Sequence, residues 1–169
     1  YKVAASYAGK QGSPAVSAPL TLGSTLSAPV AFDLTDEAQF KFFTVIDANA
    51  DGTTWQWSIN GTRCNYHRTN NTDDWLVTPP VELKAGHRYK IEIEGRSGSN
   101  RYKEMFEVMA GLSPQADALG ITVIEPTALT TGNRETVAAV FTPDADGSYH
   151  FGIHGISEKY MNGIYIYSF

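Results

Sequence analysis

The chain has 169 residues, enough for one full domain and a fragment of another, and aliphatic and aromatic residues make up 42% of it. That content supports a real core and excludes wholesale disorder. The formal net charge is -5 with Lys and Arg scattered along the chain, which excludes a basic nucleic-acid stripe, and no apolar run approaches the roughly 18 residues of a membrane helix.

In chain order, residues 1–22, "YKVAASYAGKQGSPAVSAPLTL", read as a strand, a Gly/Ser/Pro turn and a second strand. Tyr1, Val3 and Ala5, with the turn at Gly12, Ser13 and Pro14, resemble the last hairpin of a fibronectin type III domain. An isolated hairpin is marginal in water, so the resemblance implies that earlier strands lie upstream and that the chain is a piece of a longer one. Residues 23–28 are the expected linker, and residues 29–169 the main domain.

Strands are expected at 40–46, 54–59, 74–78, 88–95, 103–110, 121–125, 135–142, 148–154 and 162–169, because these stretches alternate apolar and polar residues. In "RYKIEIEG" Tyr89, Ile91 and Ile93 oppose Lys90, Glu92 and Glu94. In "SYHFGIH" Tyr149, Phe151 and Ile153 oppose His150, Gly152 and His154. In "NGIYIYSF" Ile164 and Ile166 oppose Tyr165, Tyr167 and Phe169. Clusters of Gly, Pro, Asn and Asp separate the strands, with "PDADG" at 143–147 read as a plain hairpin turn and 113–120 as one helical turn. Pro79 and Pro80 end hydrogen bonding after "DDWLVT". Many short strands at regular spacing define an all-β protein: an antiparallel two-sheet jelly-roll β-sandwich preceded by a β-hairpin.

The order of blocks from Phe32 onward carries a second resemblance. Asp47, Asp51, Gly52 and Trp55 form the first block, and Asp73, Asp74, Trp75, Leu76, Thr78, Pro79 and Pro80 the second. Glu107 and Val108 follow, and Gly152, Asn162, Gly163 and Ile166 close the pattern. Together they resemble the cleaved-adhesin, or choice-of-anchor J, family: MAM-related jelly-roll modules of bacterial surface and secreted proteins. The resemblance implies an extracellular or cell-surface location and a calcium site. Its ligands would come from the acid after the first Phe, here Asp33, and from an acid in the closing strand, where this chain has Tyr167.

The residues themselves raise the metal question. "DANADG" sets Asp47, Asn49 and Asp51 at alternate positions before Gly52, the opening of a calcium loop. The twelfth position is Ser58 rather than the bidentate Glu of an EF-hand. Two readings stand: Asp33, Asp47, Asn49 and Asp51 hold a structural calcium, or Asx side chains cap a tight turn. Cys64 and His67 have zinc-like spacing without a second pair, so a buried thiol is expected. His150 and His154 lie about 13 Å apart on a strand, too far to share a metal.

No nucleophile-elbow, zincin or Cys/His/Asn arrangement sits in a fitting context, so no catalysis is expected. Trp55 and Trp75 read as core. Trp57 stands between core and sugar platform. The candidate ligand site is Trp57 and Tyr66 with Arg101 and Tyr102 of the "RSGSNRY" loop, since loops of a rigid sandwich carry function. The expected function is a non-catalytic adhesion or ligand-binding module of a multidomain exported protein, with a glycan or extracellular protein as partner and no nucleic acid or membrane insertion. A structural spacer is the alternative, and a hydrolase-associated domain comes third.

Overall fold

The computed structural model describes residues 25–169 throughout and, within 1–24, the backbone of four two-residue strands. Of these, β1 (Lys2–Val3) pairs antiparallel with β4 (Ala15–Val16), and β2 (Ser6–Tyr7) with β3 (Lys10–Gln11). The rest of the expected fibronectin-like hairpin, including Tyr1, Ala5 and the turn at 12–14, lies outside the described residues. Then follow β5 (Leu26–Ser27), α1 (Glu37–Phe40), β6 (Thr44–Asp47), β7 (Trp55–Gln56), β8 (Thr62–Cys64), β9 (Asp74–Val77) and β10 (Val81–Leu83). The chain continues through β11 (Tyr89–Ser97), β12 (Glu104–Gly111), β13 (Ile121–Leu129), β14 (Glu135–Phe141), β15 (Gly147–Gly155) and β16 (Ile164–Ser168).

Two sheets face each other. The seven-stranded sheet runs β13-β12-β15, and β15 is flanked on its far side by β10 and β9, which carry β5 and β6. The five-stranded sheet runs β14-β11-β16-β8-β7, and Asp33 bridges Ser168 beside it. β5 is the exception to antiparallel pairing: within the expected linker, Leu26 and Ser27 lie parallel to Val81 and Glu82.

Period-two alternation places the core as the sequence predicts. Ile91, Ile93, Phe106, Val108, Phe151 and Ile153 are buried, while Lys90 and Glu92 are exposed. Each such burial removes apolar surface worth about 1.5–3 kcal/mol. Trp55 fills the same core, and its indole N–H donates to the carbonyl of Asp74 at 3.0 Å. That bond ties β7 of one sheet to β9 of the other. Pro79 and Pro80 divide what would be one strand beside β15 into β9 and β10. At the gap the Thr78 N–H donates to Phe151 O, and the Thr78 hydroxyl accepts from Phe151 N–H, so the β15 backbone keeps its partners.

Several local readings change. Residues 37–40 are helical rather than leading into a strand, because the Asp36 carboxylate caps the Ala38 N–H, and the strand begins at Thr44. β13 continues past Pro126 to Leu129: it is an edge strand whose register with β12 shifts between Phe106 and Val108, where a missing N–H is tolerated. "PDADG" is no hairpin turn, since it joins β14 of one sheet to β15 of the other. The Asp146 carboxylate there accepts from Ala85 N–H and Lys84. Phe169 faces the core instead of solvent. A β-bulge leaves Tyr167 without a partner between Glu94–Ser168 and Gly95–Ile166. This one-residue slip exchanges the faces beyond it, and the Phe169 ring lies 5.9 Å from that of Phe151.

Candidate functional site

The outer face of the five-stranded sheet holds a concavity of about 420 Å³, within the range of small-ligand sites. Its floor comes from outward positions of four strands: Gln56 on β7, Arg63 on β8, Arg96 on β11, and Tyr165 with Tyr167 on β16. Arg134, just before β14, closes one end, and Trp57, Ser58, Ile59, Asn60 and Asn65 form the wall. The bulge at Tyr167 sets its phenol beside Arg96. Gly61 lets that ring lie close, since a Cβ there would meet Tyr167 Cε1 at 3.0 Å.

The basic side chains are held in place. Arg96 Nε donates to the Tyr167 hydroxyl at 2.6 Å, and Arg96 Nη1 to the Ser97 carbonyl at 2.9 Å. Its guanidinium carbon sits 3.9 Å over the Tyr165 ring, with that of Arg63 at 5.1 Å from the same ring. Arg63 Nη2 donates to the Asn162 carbonyl. Arg134 lies 3.7 Å over the Tyr167 ring and pairs with Glu94 at 3.1 Å. Trp57 is half-buried, and its indole N–H donates to the Thr35 carbonyl at 3.0 Å. That bond fixes the ring as a wall of the groove.

Trp57 is therefore the one member of the expected ligand set that lines this groove. Tyr66 is half-buried in the loop after β8, while Arg101 and Tyr102 are exposed between β11 and β12. None of these three belongs to the lining. The groove residues that sequence reasoning passed over, Arg63, Arg96, Arg134, Tyr165 and Tyr167, had a signal. Arg96, Tyr165 and Tyr167 continue the outward face of alternating strands, but no alternation says that β8, β11 and β16 are neighbours.

The 47–52 loop is a network of Asx bonds. Asp47 Oδ1 and Asn49 Oδ1 both accept from Asp51 N–H at 3.1 Å, Asp47 Oδ2 from Gly52 N–H, and Asp51 Oδ1 from Thr53 N–H. Ala50 and Gly52 take positive φ, 55° and 80°, the latter where glycine is favoured. Asp33 bridges Ser168 beside the five-stranded sheet, and its carboxylate accepts from the N–H and hydroxyl of Thr35. Among the described residues no group of three His, Cys, Asp or Glu side chains is arranged to hold a metal ion. Asp47, Asn49 and Asp51 gather on one loop, and the roughly 6–8 oxygens of a calcium ion would need further ligands beyond them. Next to the loop, burial pushes the Asp74 carboxyl up to about 6, and the charges of Asp47 and Asp51 add to this.

On the outside of the seven-stranded sheet, His154 stacks on Trp75 with ring centroids 3.8 Å apart. Its ring nitrogens meet Glu107 and Asp73 at 2.9 and 2.8 Å. Leu119, carried by the 3-10 turn Ala116–Ala118, caps this small second core. Trp75 is thus core, as expected, but of the outer cluster. No nucleophile accompanies the histidine in its contacts, and the cluster reads as packing.

No family profile matches the chain, and no curated protein matches it in sequence. Solved structures do. The K1 cleaved adhesin domain of Lys-gingipain from Porphyromonas gingivalis W83 superposes with a TM-score of 0.64 at 14% identity, over 82% of this chain and 94% of that one. The K3 cleaved adhesin domain from the same organism gives 0.64 at 15%, over 83% and 95%. The K2 domain gives 0.57 at 12%, over 75% and 87%. The chain has the cleaved-adhesin jelly-roll fold. At these identities the likeness speaks for fold alone.

Proposed function

We propose that this domain is a non-catalytic binding module of an exported, multidomain bacterial surface protein, and that its ligand is a carbohydrate or the glycan of a glycoprotein. The observation that carries this reading is the groove on the five-stranded sheet. There Trp57 offers a ring surface, while Gln56, Asn60, Asn65 and three guanidinium groups, two of them carried by the Tyr165 ring, offer planar polar groups. Sugars present exactly that pairing in reverse: apolar C–H faces edged by hydroxyls, which stack on rings and bond to planar polar groups. The fold shared with cleaved adhesin domains supports an extracellular setting, and among the described residues no helix is long and apolar enough to cross a membrane. Fold likeness is an analogy, and the site has to carry the argument.

The test is retention on a glycan array by wild type, Trp57→Ala and Tyr165→Ala, with thermal melts alongside. Both variants should lose retention by tenfold or more. Trp57→Ala should also lower stability by about 1 kcal/mol, because the Thr35 carbonyl loses its donor. Wild-type protein that retains no glycan would instead favour the spacer reading. The expected cation is kept as a minor part of the proposal: any calcium at 47–52 would stiffen the module and play no part in ligand chemistry.

A further inference from the structure

The groove is basic on a protein that is not. The eleven residues lining it include Arg63, Arg96 and Arg134 and no Asp or Glu, although the chain carries a formal net charge of -5. Composition does not produce this concentration of positive charge; the pairing of β8, β11 and β16 does. Arg134 is offset by Glu94. Among the described residues Arg63 and Arg96 form no ion pair, and both guanidinium groups lie over the single ring of Tyr165. They are also preorganised. Each is held by bonds to a main-chain carbonyl, and Arg96 by the Tyr167 hydroxyl as well. Each keeps further terminal N–H donors beyond those bonds, whereas the Nε of Arg63 is buried without a partner and that of Arg96 is taken by Tyr167; terminal guanidinium N–H groups suit carboxylate and sulfate oxygens. Two part-buried cations fixed without a counter-charge are a cost to the fold unless a ligand supplies one.

We propose that the groove selects acidic glycans, those carrying a carboxylate or a sulfate ester on a sugar ring, and that Arg63 and Arg96, carried by the Tyr165 ring, together receive the anion while Trp57 takes a sugar face. This rests on the groove being the glycan site. The shared ligand chemistry is an oxyanion of fixed negative charge on a pyranose, and its source is either a uronic acid or a sulfated sugar.

The experiment measures binding of the 169-residue protein by calorimetry to oligogalacturonate, to the same oligomer as its methyl ester, to carrageenan oligosaccharides, which carry sulfate and no carboxylate, and to neutral cello-oligosaccharides. The variants are Arg63→Gln, Arg96→Gln and Arg96→Lys, with Arg68→Gln, exposed and outside the groove, as the charge control. Wild type should bind at least one acidic oligomer about tenfold or more tighter than its neutral counterparts, the scale of a charged hydrogen-bonded contact. Arg63→Gln and Arg96→Gln should remove that preference, Arg96→Lys should restore only part of it, and Arg68→Gln should leave it intact. Raising salt from 50 to 500 mM should weaken the acidic ligands and spare the neutral ones. The esterified pair and the salt series need no variant, so they decide the matter even if a substitution unfolds the protein. Binding of oligogalacturonate alone assigns the carboxylate, and binding of the carrageenan oligosaccharides alone the sulfate. Equal affinity for acid and methyl ester, unmoved by the arginine variants, overturns the acidic preference and leaves the glycan module standing. Failure to bind any of these sugars overturns both.

Discussion

Tyr167 stands where the resembled family would place an acid, and its surroundings show what the phenol does instead. Its hydroxyl accepts from Arg96 Nε, its ring carries Arg134, and it lies against Gly61. A carboxylate there would neutralise the groove's charge; the phenol organises that charge and leaves it available. Tyr167→Phe should therefore cost at most about 1.5 kcal/mol of stability in a urea melt, one hydrogen bond's worth, yet weaken acidic-glycan binding several-fold by freeing Arg96. Cys64 makes a different residue-scale point. Burial first, then the nearby carboxylates of Asp74, Glu104 and Asp51, raise its thiol well above the ordinary range. The thiolate that reacts is therefore scarce at neutral pH. Native protein should not colour a disulfide reagent such as DTNB, and denatured protein should release one equivalent; rapid native labelling would mean that the β8–β16 layer opens.

At the scale of elements, the 47–52 loop shows how a calcium-type spacing also closes a turn on its own side-chain oxygens. Its Asx oxygens close a turn by accepting from the N–H groups of Asp51, Gly52 and Thr53. Thermal melts in millimolar calcium and in chelator should coincide for wild type, whereas Asp47→Ala should lower the melting temperature in both by removing two capping bonds, about 1–2 kcal/mol. A rise of several degrees with calcium in wild type alone would restore the metal, because binding the folded state stabilises it by linkage. The 3-10 turn behind β15 gives a second case. A Cβ on Gly152 would meet Leu119 Cδ1 at 2.6 Å and Trp75 Cε3 at 2.8 Å. Gly152→Ala should thus cost about 1–3 kcal/mol through overpacking of the small outer core, seen as a shifted denaturant midpoint.

At the scale of the whole molecule, two sheets are held as one unit by the shared core and by Trp55, which reaches from β7 to the Asp74 carbonyl. Trp55→Phe should lose about 1–3 kcal/mol, since the Asp74 carbonyl loses the indole donor, and Ile93→Ala about 2–5 kcal/mol for a fully buried side chain. Both should leave the unfolding transition single and cooperative. A biphasic transition would show that the sheets come apart separately.

Which residues point inward was legible in the chain because a strand's period of two is a local property: Lys90 and Glu92 alternate with Ile91 and Ile93 whatever lies beside them. Many short strands separated by clusters of Gly, Pro, Asn and Asp pointed to the jelly roll for a related reason, since turn chemistry and proline breaks act within a few residues. Alternation failed at Phe169, where a bulge created by pairing with β11 reversed the face. The groove was invisible for the same cause. Arg63, Arg96, Arg134 and Tyr165 are scattered over a hundred positions, and hydrogen bonding between strands distant in sequence brings them onto one surface. A sequence specifies alternation through the backbone's own geometry, whereas the neighbour of a strand is chosen by which sheet buries most apolar surface, and that choice belongs to the folded chain as a whole.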